Sequence, residues 1–204
     1  MHGDSLVAPP TATSNIAFMR KVYHLWLSPF CRTVRIVLAE KNLEFDMHVE
    51  KLWERREDFL ALNPAGDLPV LVEDDGLVLS NANAIVEYLD ETHPEPPLIG
   101  RSPAIRAEVR RLVAWFDKKF DAEVTRNLVD EKIMKRFLGL GEPNSQAIRA
   151  GSANIHVHLD YIAYLNEERR WLAGNDFSLA DIAAAAHLSC VDYLGDVPWS
   201  DHEA

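Results

Sequence analysis

The chain has 204 residues, enough for one or two domains, and 48% of them are hydrophobic, which fits a globular core. Its formal net charge is −11, which argues against general nucleic-acid binding because that function uses clustered basic charge. Two cysteines, Cys31 and Cys190, are too few for a disulfide framework or a metal cluster. We therefore expect no metal, and we expect no cofactor. No apolar run is long enough to cross a bilayer, so we expect no membrane insertion.

Residues 1–18 differ in composition from the rest of the chain. They contain no Lys or Arg and one acidic residue, Asp4. A secretory signal needs a basic start and a continuous apolar stretch, and this segment has neither. The structure-breaking run from Pro9 to Asn15 predicts a disordered leader, with Met19 as an alternative start. We therefore expect a cytoplasmic protein.

The next segment predicts a strand, a helix, a second strand and a short helix. Residues 21–25 are typical of a short strand. Ser28 is suited to cap a helix whose first position, Pro29, needs no N–H donor. The apolar residues of this helix recur at helical spacing and would face the core: Phe30, Val34, Val37 and Leu38. A strand over 45–49 and a helix over 55–62 follow.

A hairpin and a helix complete the first half. Two strands over 69–72 and 77–79 flank the turn Asp74-Asp75-Gly76. A helix over 81–92 follows them. Proline lacks an N–H and belongs at the first residue of a strand, so Leu68–Pro69 is a candidate cis peptide bond. The element order is βαβ followed by α and ββα, which predicts a mixed sheet with covering helices.

After residue 93 the strand signals fade. We predict an α/β domain over 19–93, a linker over 94–103 and an all-α domain over 104–204. Two apolar stripes at helical spacing predict its long helices: Ile105, Val109, Leu112, Val113, Phe116, Phe120 and Val124, then Ile148, Ile155, Leu159, Ile162 and Leu165. Residues 139–143 separate the two stripes. Ser178 and Asp181 form a capping box before an alanine-rich helix.

This combination resembles the cytosolic glutathione transferase family over residues 20–199. The matching motifs are Ser28-Pro29 at a helix start, Pro69, Ala84-Ile85 and the segment 177–182. The resemblance implies a thioredoxin-like α/β domain followed by an all-α domain. It also implies a homodimer, with the helix over 104–128 as the interface.

The resemblance also implies a site that ionises the thiol of glutathione. Ser28 lies where serine-type transferases carry the hydroxyl that stabilises the thiolate beside a helix N-terminus. The alternative for Ser28 is a plain helix cap. Cys31 is a competing nucleophile, because helix N-termini lower thiol pKa values. The alternative for Cys31 is a small apolar residue of the helix. Tyr23 is a third candidate by analogy with tyrosine-type classes.

The rest of the implied glutathione site departs from the family. Leu68, followed by Pro69, would offer backbone hydrogen bonds to the cysteinyl part. The family has an acidic residue and a hydroxyl residue for the γ-glutamyl end, where this chain has Asn81 and Ala82. Ser80 precedes that pair by one residue. Losing two bonds to charged groups weakens binding by about a hundredfold or more, so we expect glutathione to bind weakly or not at all.

A closer resemblance is to the FzlA-type, FtsZ-binding branch of this superfamily. Besides Ser28-Pro29-Phe30, the segments that carry it are 49–56, 113–120, 147–151, 169–174 and 192–199. The resemblance implies a dimer that binds FtsZ filaments, promotes their curvature and is recruited to the division site. The leading hypothesis is therefore a non-catalytic adaptor. The alternative is a glutathione transferase that conjugates glutathione to an electrophile through Ser28.

Two groups of residues are candidates for binding such a partner. Trp53 with arginine neighbours has a composition typical of interface hot spots, although it could instead cover the domain junction. A basic edge further along could steer an acidic polymer, or be an ordinary solvated face. The candidates are Trp53, Arg55 and Arg56, then Leu128, Lys132, Lys135 and Arg136.

The family usually continues past the segment that matches Trp199 with another helix. Because the sequence ends at Ala204, we expect this chain to lack the last helix of the fold. We expect an exposed apolar strip near residues 183–188 and Tyr193, with reduced stability.

Overall fold

The protein is described by a computed structural model, which covers residues 19–202. The predicted leader over residues 1–18 lies outside the described residues. From residue 19 onward, the described part of the first half contains four strands and three α-helices: β1 (Lys21–His24), α1 (Pro29–Glu40), β2 (Asp46–Val49), α2 (Glu57–Leu62), β3 (Val70–Val72), β4 (Val78–Ser80) and α3 (Ala82–Thr92). A short 3-10 helix, Leu52–Glu54, lies between β2 and α2. The predicted elements are confirmed within a few residues. The largest difference is at α2, where Arg55 adopts φ 47° in the left-handed region, so the helix begins at Glu57.

The four strands form one mixed sheet in the order β2-β1-β3-β4. Strand β2 runs parallel to β1, whereas β3 is antiparallel to both β1 and β4. The Leu68–Pro69 peptide bond is cis, as predicted. Val70 lies opposite Tyr23 on one side and Ser80 on the other. This register brings the end of β1, the start of β3 and the end of β4 to one edge of the sheet.

The second half is helical, as predicted. Its helices are α4 (Pro103–Ala114), α5 (Trp115–Met134), α6 (Lys135–Leu138), α7 (Ser145–Asn166) and α8 (Leu179–Asp192). The first three follow one another without a break and are called the long helix here; the hydrogen bonds of α5 have π-helical spacing. Helix α7 packs closely on α5, because a Cβ on Gly151 would lie only 2.9 Å from Leu128 Cγ. Within residues 19–202, no helix combines the length and apolarity needed to cross a membrane.

One hydrophobic core joins the two halves. It contains residues from α1 and α3, from the long helix and from α8. The buried Lys41, just after α1, adds a polar link. Its Nζ donates to Asp90 Oδ1 at 2.8 Å and to the carbonyl oxygens of His93 and Pro96 at 2.7 and 2.8 Å. These bonds fix the end of α1 to the end of α3 and the segment that follows it.

The prediction of an exposed apolar strip on α8 is wrong for most of its residues. Ala183, Ala184 and Ala186 are at most 5% exposed, because α8 packs between α1 and the long helix. The exceptions are Ala185, which is exposed, and Tyr193, with 73% of its surface exposed. Small side chains let the backbone of α8 approach its neighbours closely, so the three buried alanines face the core.

Candidate functional site

A cleft of about 320 Å³ opens beside the N-terminus of α1. The loop from β1 to α1 forms one wall, and α5 forms the other. The cleft is lined by Leu25, Leu27, Ser28, Pro29, Phe30, Asp121, Thr125, Arg126, Asp130 and Met134. The two halves of the chain therefore meet at this cleft. It lies where the resemblance to the glutathione transferase family predicts an active site.

Ser28 caps α1 as predicted. Its Oγ accepts a hydrogen bond from the backbone N–H of Cys31 at 3.3 Å, and Pro29 occupies the first helical position. The Ser28 side chain also interacts with the thiol of Cys31, one turn further along α1. An anion in the cleft would meet this hydroxyl and the positive end of the helix dipole.

The structure contradicts the interpretation of Cys31 as a nucleophile. The side chain is fully buried, and burial raises the pKa of its thiol, although the hydrogen bond with Ser28 acts in the opposite direction. A buried, protonated thiol is chemically inert. The alternative, a small apolar residue of α1, therefore fits. Tyr23 points away from the cleft, because its ring packs 5.7 Å from the ring of Phe59 on α2.

The opposite wall carries carboxylates that the sequence interpretation missed. Asp121 is 4% exposed, and its Oδ2 accepts a hydrogen bond from Arg126 Nε at 2.6 Å. Asp130 is more exposed, yet desolvation of its carboxyl and the neighbouring Asp121 charge raise its pKa to about 6. The available signal was weak: Asp121 directly follows Phe120 in the apolar stripe of α5. The wall of the cleft is therefore acidic.

The sheet register brings the remaining candidates of the implied glutathione site to the same edge as Ser28. Pro69 is buried and Leu68 is half-buried. The backbone N–H and C=O of Leu68 have no hydrogen-bond partner within the described part of the chain. Ser80 is half-buried at the end of β4, directly before α3. A bound extended peptide could therefore pair with the backbone of Leu68.

Asn81 uses its side chain to cap α3. Its Oδ1 accepts hydrogen bonds from the backbone N–H groups of Asn83 at 3.0 Å and Ala84 at 3.4 Å. Asn81 holds φ 75°, and Ala82 is 6% exposed without a hydroxyl to offer. Two of the first three N–H groups of α3 are thus already satisfied inside the protein. The end of α3 has little left to hold a ligand carboxylate.

Trp53 lies between the two halves of the molecule and is also exposed. Its ring stacks on that of Phe137 in α6, with centroids 5.9 Å apart and planes 13° apart. Trp53 remains 37% exposed and Phe137 60% exposed. Trp53 therefore covers the junction between the halves and contributes to an exposed aromatic pair, and its role in binding a partner stays a prediction.

The arginines near Trp53 differ in their environments. Arg55 is exposed and makes no ion pair within residues 19–202. Arg56 is also exposed, but its Nη2 bonds Asp58 Oδ2 at 2.7 Å. Only Arg55 of these two has a guanidinium that no carboxylate neutralises.

Three of the candidates on the basic edge need correction. Leu128 is fully buried against α7 and cannot contact a partner. Lys132 Nζ lies 2.6 Å from both carboxylate oxygens of Asp196, and Lys135 Nζ lies 2.7 Å from Glu131 Oε2. These two lysines are neutralised inside the protein, so the basic edge is reduced to Arg136. Arg136 is exposed and has no ion pair in the described chain.

Comparison with known proteins places this geometry among relatives. A family model described as the N-terminal domain of glutathione S-transferase matches residues 27–92. FtsZ-localized protein A of Caulobacter vibrioides is 50% identical over 188 residues, which are 91% of this chain and 82% of the relative.

Two solved structures agree with the fold. The structure of FzlA from C. crescentus has a TM-score of 0.87 and 49% identity, and the match covers 91% of this chain and 83% of that one. A glutathione S-transferase from Rhodospirillum rubrum F11 has a TM-score of 0.88 and 58% identity, covering 90% and 83% of the two chains.

Proposed function

The chain belongs to the glutathione S-transferase superfamily, and on that premise we propose that it is a non-catalytic adaptor that binds FtsZ filaments and promotes their curvature in bacterial division. The observation that carries the proposal is the 50% identity to a protein named for its localisation with FtsZ. The adaptor acts in the cytoplasm as a homodimer and is recruited to the division site.

The hydrogen bonds at the N-terminus of α3 support a non-catalytic role. The family holds the γ-glutamyl end of glutathione with an acidic residue and a hydroxyl. Here the Asn81 oxygen is bonded to Asn83 and Ala84 of its own helix, and Ala82 offers no hydroxyl. Each lost bond to a charged ligand group weakens binding by about tenfold or more. A transferase with this N-terminus of α3 would bind glutathione poorly.

The partner-binding surface of the proposal is the exposed pair Trp53 and Phe137 with Arg55 and Arg136 beside them in sequence. Aromatic residues and arginines are the side chains most often found at interface hot spots. Both arginines lack an ion pair in the described chain, so their charge is available to an acidic filament. Arg56 is a weaker contributor, since Asp58 already binds it.

Co-sedimentation with FtsZ polymers tests the proposal. The protein is expected to pellet with the polymers, and electron microscopy is expected to show more strongly curved filaments. Trp53→Ala is expected to weaken co-pelleting by about tenfold. Tyr164→Ala removes another exposed aromatic, 66% exposed on α7, and is the matched control. Folded protein that never pellets with FtsZ would overturn the proposal.

The second candidate is a glutathione transferase that uses Ser28. The position of the Ser28 hydroxyl at the N-terminus of α1 favours it, and so does the backbone of Leu68, which is unpaired within the described residues. A related structure from Methylobacillus flagellatus KT, 30% identical, is described with glutathione bound. Glutathione titration by calorimetry separates the candidates. No heat for this chain, with binding restored by Asn81→Glu combined with Ala82→Ser, favours the adaptor. Binding by the unaltered chain favours the enzyme.

A further inference from the structure

Two arginines of α1, Arg32 and Arg35, carry charge that no carboxylate in the described residues neutralises. Seven other arginines each contact an Asp or Glu: Arg20, Arg56, Arg101, Arg110, Arg111, Arg126 and Arg169. Five more arginines also lack a carboxylate partner in the described chain: Arg55, Arg106, Arg136, Arg149 and Arg170. What distinguishes Arg32 and Arg35 is that both side chains are half-buried and lie together. A partly desolvated charge without a counter-charge is unfavourable, and the chain as a whole has an excess of acid.

The two guanidinium groups converge on one acceptor, the carbonyl oxygen of Trp26. Arg32 Nε donates to it at 3.0 Å, and Arg35 Nη2 donates to it at 3.5 Å. Arg32 Nη1 also donates to Ser189 Oγ on α8 at 2.7 Å, and Arg35 Nε reaches the Cys31 carbonyl at 3.4 Å. A guanidinium has five N–H donors, so each arginine retains donors for a ligand.

The surroundings increase the need for an anion. Burial lowers the pKa of Arg35, and the neighbouring Arg32 charge acts in the same direction. His24, next to the Trp26 ring at 4.7 Å, is fully buried, and neither of its ring nitrogens has a hydrogen-bond partner among residues 19–202. Burial, with the Arg35 charge second, lowers the pKa of His24, which favours the neutral ring over a third positive charge beside the arginines.

The Trp26 side chain provides an apolar surface beside the two arginines. Its ring is 54% exposed, and the Arg35 Cζ lies 5.1 Å from the ring centroid. Such stacking holds the guanidinium plane in one orientation, which favours two parallel bonds to an oxyanion. Trp26, Arg32 and Arg35 are all absent from the lining of the cleft beside Ser28. This place is therefore separate from the candidate active site.

We propose that Arg32, Arg35 and the Trp26 indole form a binding site for one oxyanion group, a carboxylate or a phosphate. The guanidinium groups hold the oxyanion, and the indole packs against the part of the molecule that bears it. The site is independent of glutathione and of the Trp53 surface. Its ligand is an acidic side chain or a phosphate-bearing small molecule.

Two probes distinguish these sources: inorganic phosphate and acetate, with potassium chloride at matched ionic strength as the blank. The readout is the side-chain Nε–Hε resonances of Arg32 and Arg35 in nitrogen-15 labelled protein. Saturable shifts with phosphate alone identify a phosphate site, and saturable shifts with acetate identify a carboxylate site. Shifts that stay linear with concentration for both probes, or that chloride reproduces, overturn the proposal.

Substitutions make the assignment specific to these residues. Arg35→Gln is expected to weaken binding of the effective probe by about tenfold, because a charge-assisted pair of bonds is lost. Arg35→Lys keeps the charge but not the forked guanidinium, so its affinity for the probe should fall between those of the parent and Arg35→Gln. Arg149→Gln, an exposed arginine of α7 without an ion pair, is the matched control. Thermal melting checks that each variant folds, and equal affinity in all three variants contradicts the site.

Discussion

The N-termini of α1 and α3 meet at one edge of the sheet, yet they are capped in different ways. At α1 the hydroxyl of Ser28 accepts one N–H group of the helix, that of Cys31. At α3 the amide oxygen of Asn81 accepts two N–H groups of the helix itself. The hydroxyl that caps α1 can donate to an anion, whereas the amide oxygen that caps α3 can only accept. A transferase-type site can thus lose its hydrogen bonds to the substrate at the N-terminus of α3 while the N-terminus of α1 keeps its hydroxyl.

The backbone strengthens this contrast. Ser28 has φ −88°, an extended conformation that any residue adopts, whereas Asn81 has φ 75° in the left-handed region. Only Gly, Asn and Asp tolerate that region well. The cap of α3 therefore depends on both the side chain and the backbone of one residue.

Replacement of Asn81 is expected to have the largest effect. Asn81→Ala removes both capping bonds and leaves a residue unsuited to positive φ, so the free energy of unfolding should fall by about 2–3 kcal/mol. Urea denaturation measures it. The matched control is Asn83→Ala, two residues into α3, which removes an exposed side chain without a capping role. Equal losses for both variants would mean that Asn81 does not hold α3 in this way.

Replacement of Ser28 is expected to have a smaller effect. Ser28→Ala removes one capping bond at an unstrained position, so the loss should be about 1 kcal/mol. The control Ser28→Asp keeps an acceptor at the cap and places a negative charge at the positive end of α1. Its stability in urea should equal or exceed that of the parent. If Ser28→Ala costs as much as Asn81→Ala, the two ends are not different in the way proposed.

A glycine at residue 81 separates the two contributions there. Asn81→Gly loses the side-chain bonds but adopts positive φ without penalty, and glycine is only slightly worse than asparagine as a cap. The expected loss is about 0.5 kcal/mol or less in the same denaturation measurement. A loss as large as that of Asn81→Ala would assign the whole effect to the capping bonds and none to the backbone.

Local patterns predicted the helix ends, because a cap needs only a few consecutive residues. Ser28 with Pro29 was confirmed, and so was the capping box of Ser178 with Asp181, whose Oδ2 accepts the Ser178 N–H at 2.9 Å. The mixed sheet followed from the order of apolar runs and the hairpin turn. These features are encoded within short windows of sequence.

The environment of the site was less predictable, because it depends on packing between distant segments. The sequence interpretation placed Leu128 on an exposed edge, but α7 covers it, with Gly151 at the contact. Lys132 was placed on a free basic edge, and its partner Asp196 follows 64 residues later. Asp121 and Asp130 enter the cleft only because α5 crosses the β1–α1 loop. No local window contains both members of any of these contacts.

The smallest expected effect concerns pH and the acidic wall that faces Ser28, because solvent screens the interactions of the exposed Asp130. The pKa of Asp130 is raised to about 6 from 3.8, so the folded protein binds this proton more tightly than the unfolded chain does. Its contribution to stability is therefore present at low pH and is lost as the pH rises towards and through 6. Asp130→Asn lacks this dependence, so its stability relative to the parent should increase from near pH 4 to near pH 7 in urea denaturation.

Asp74→Asn is the matched control for that measurement, since Asp74 is exposed in the β3–β4 turn and does not line the cleft. Its stability relative to the parent should change less between the two pH values. If the two variants respond alike, the surroundings of Asp130 do not disfavour its charge. The wall opposite Ser28 would then be an ordinary solvated surface. If only Asp130→Asn responds, the cleft disfavours negative charge on the α5 side while the N-terminus of α1 favours it, which orients any bound anion towards Ser28.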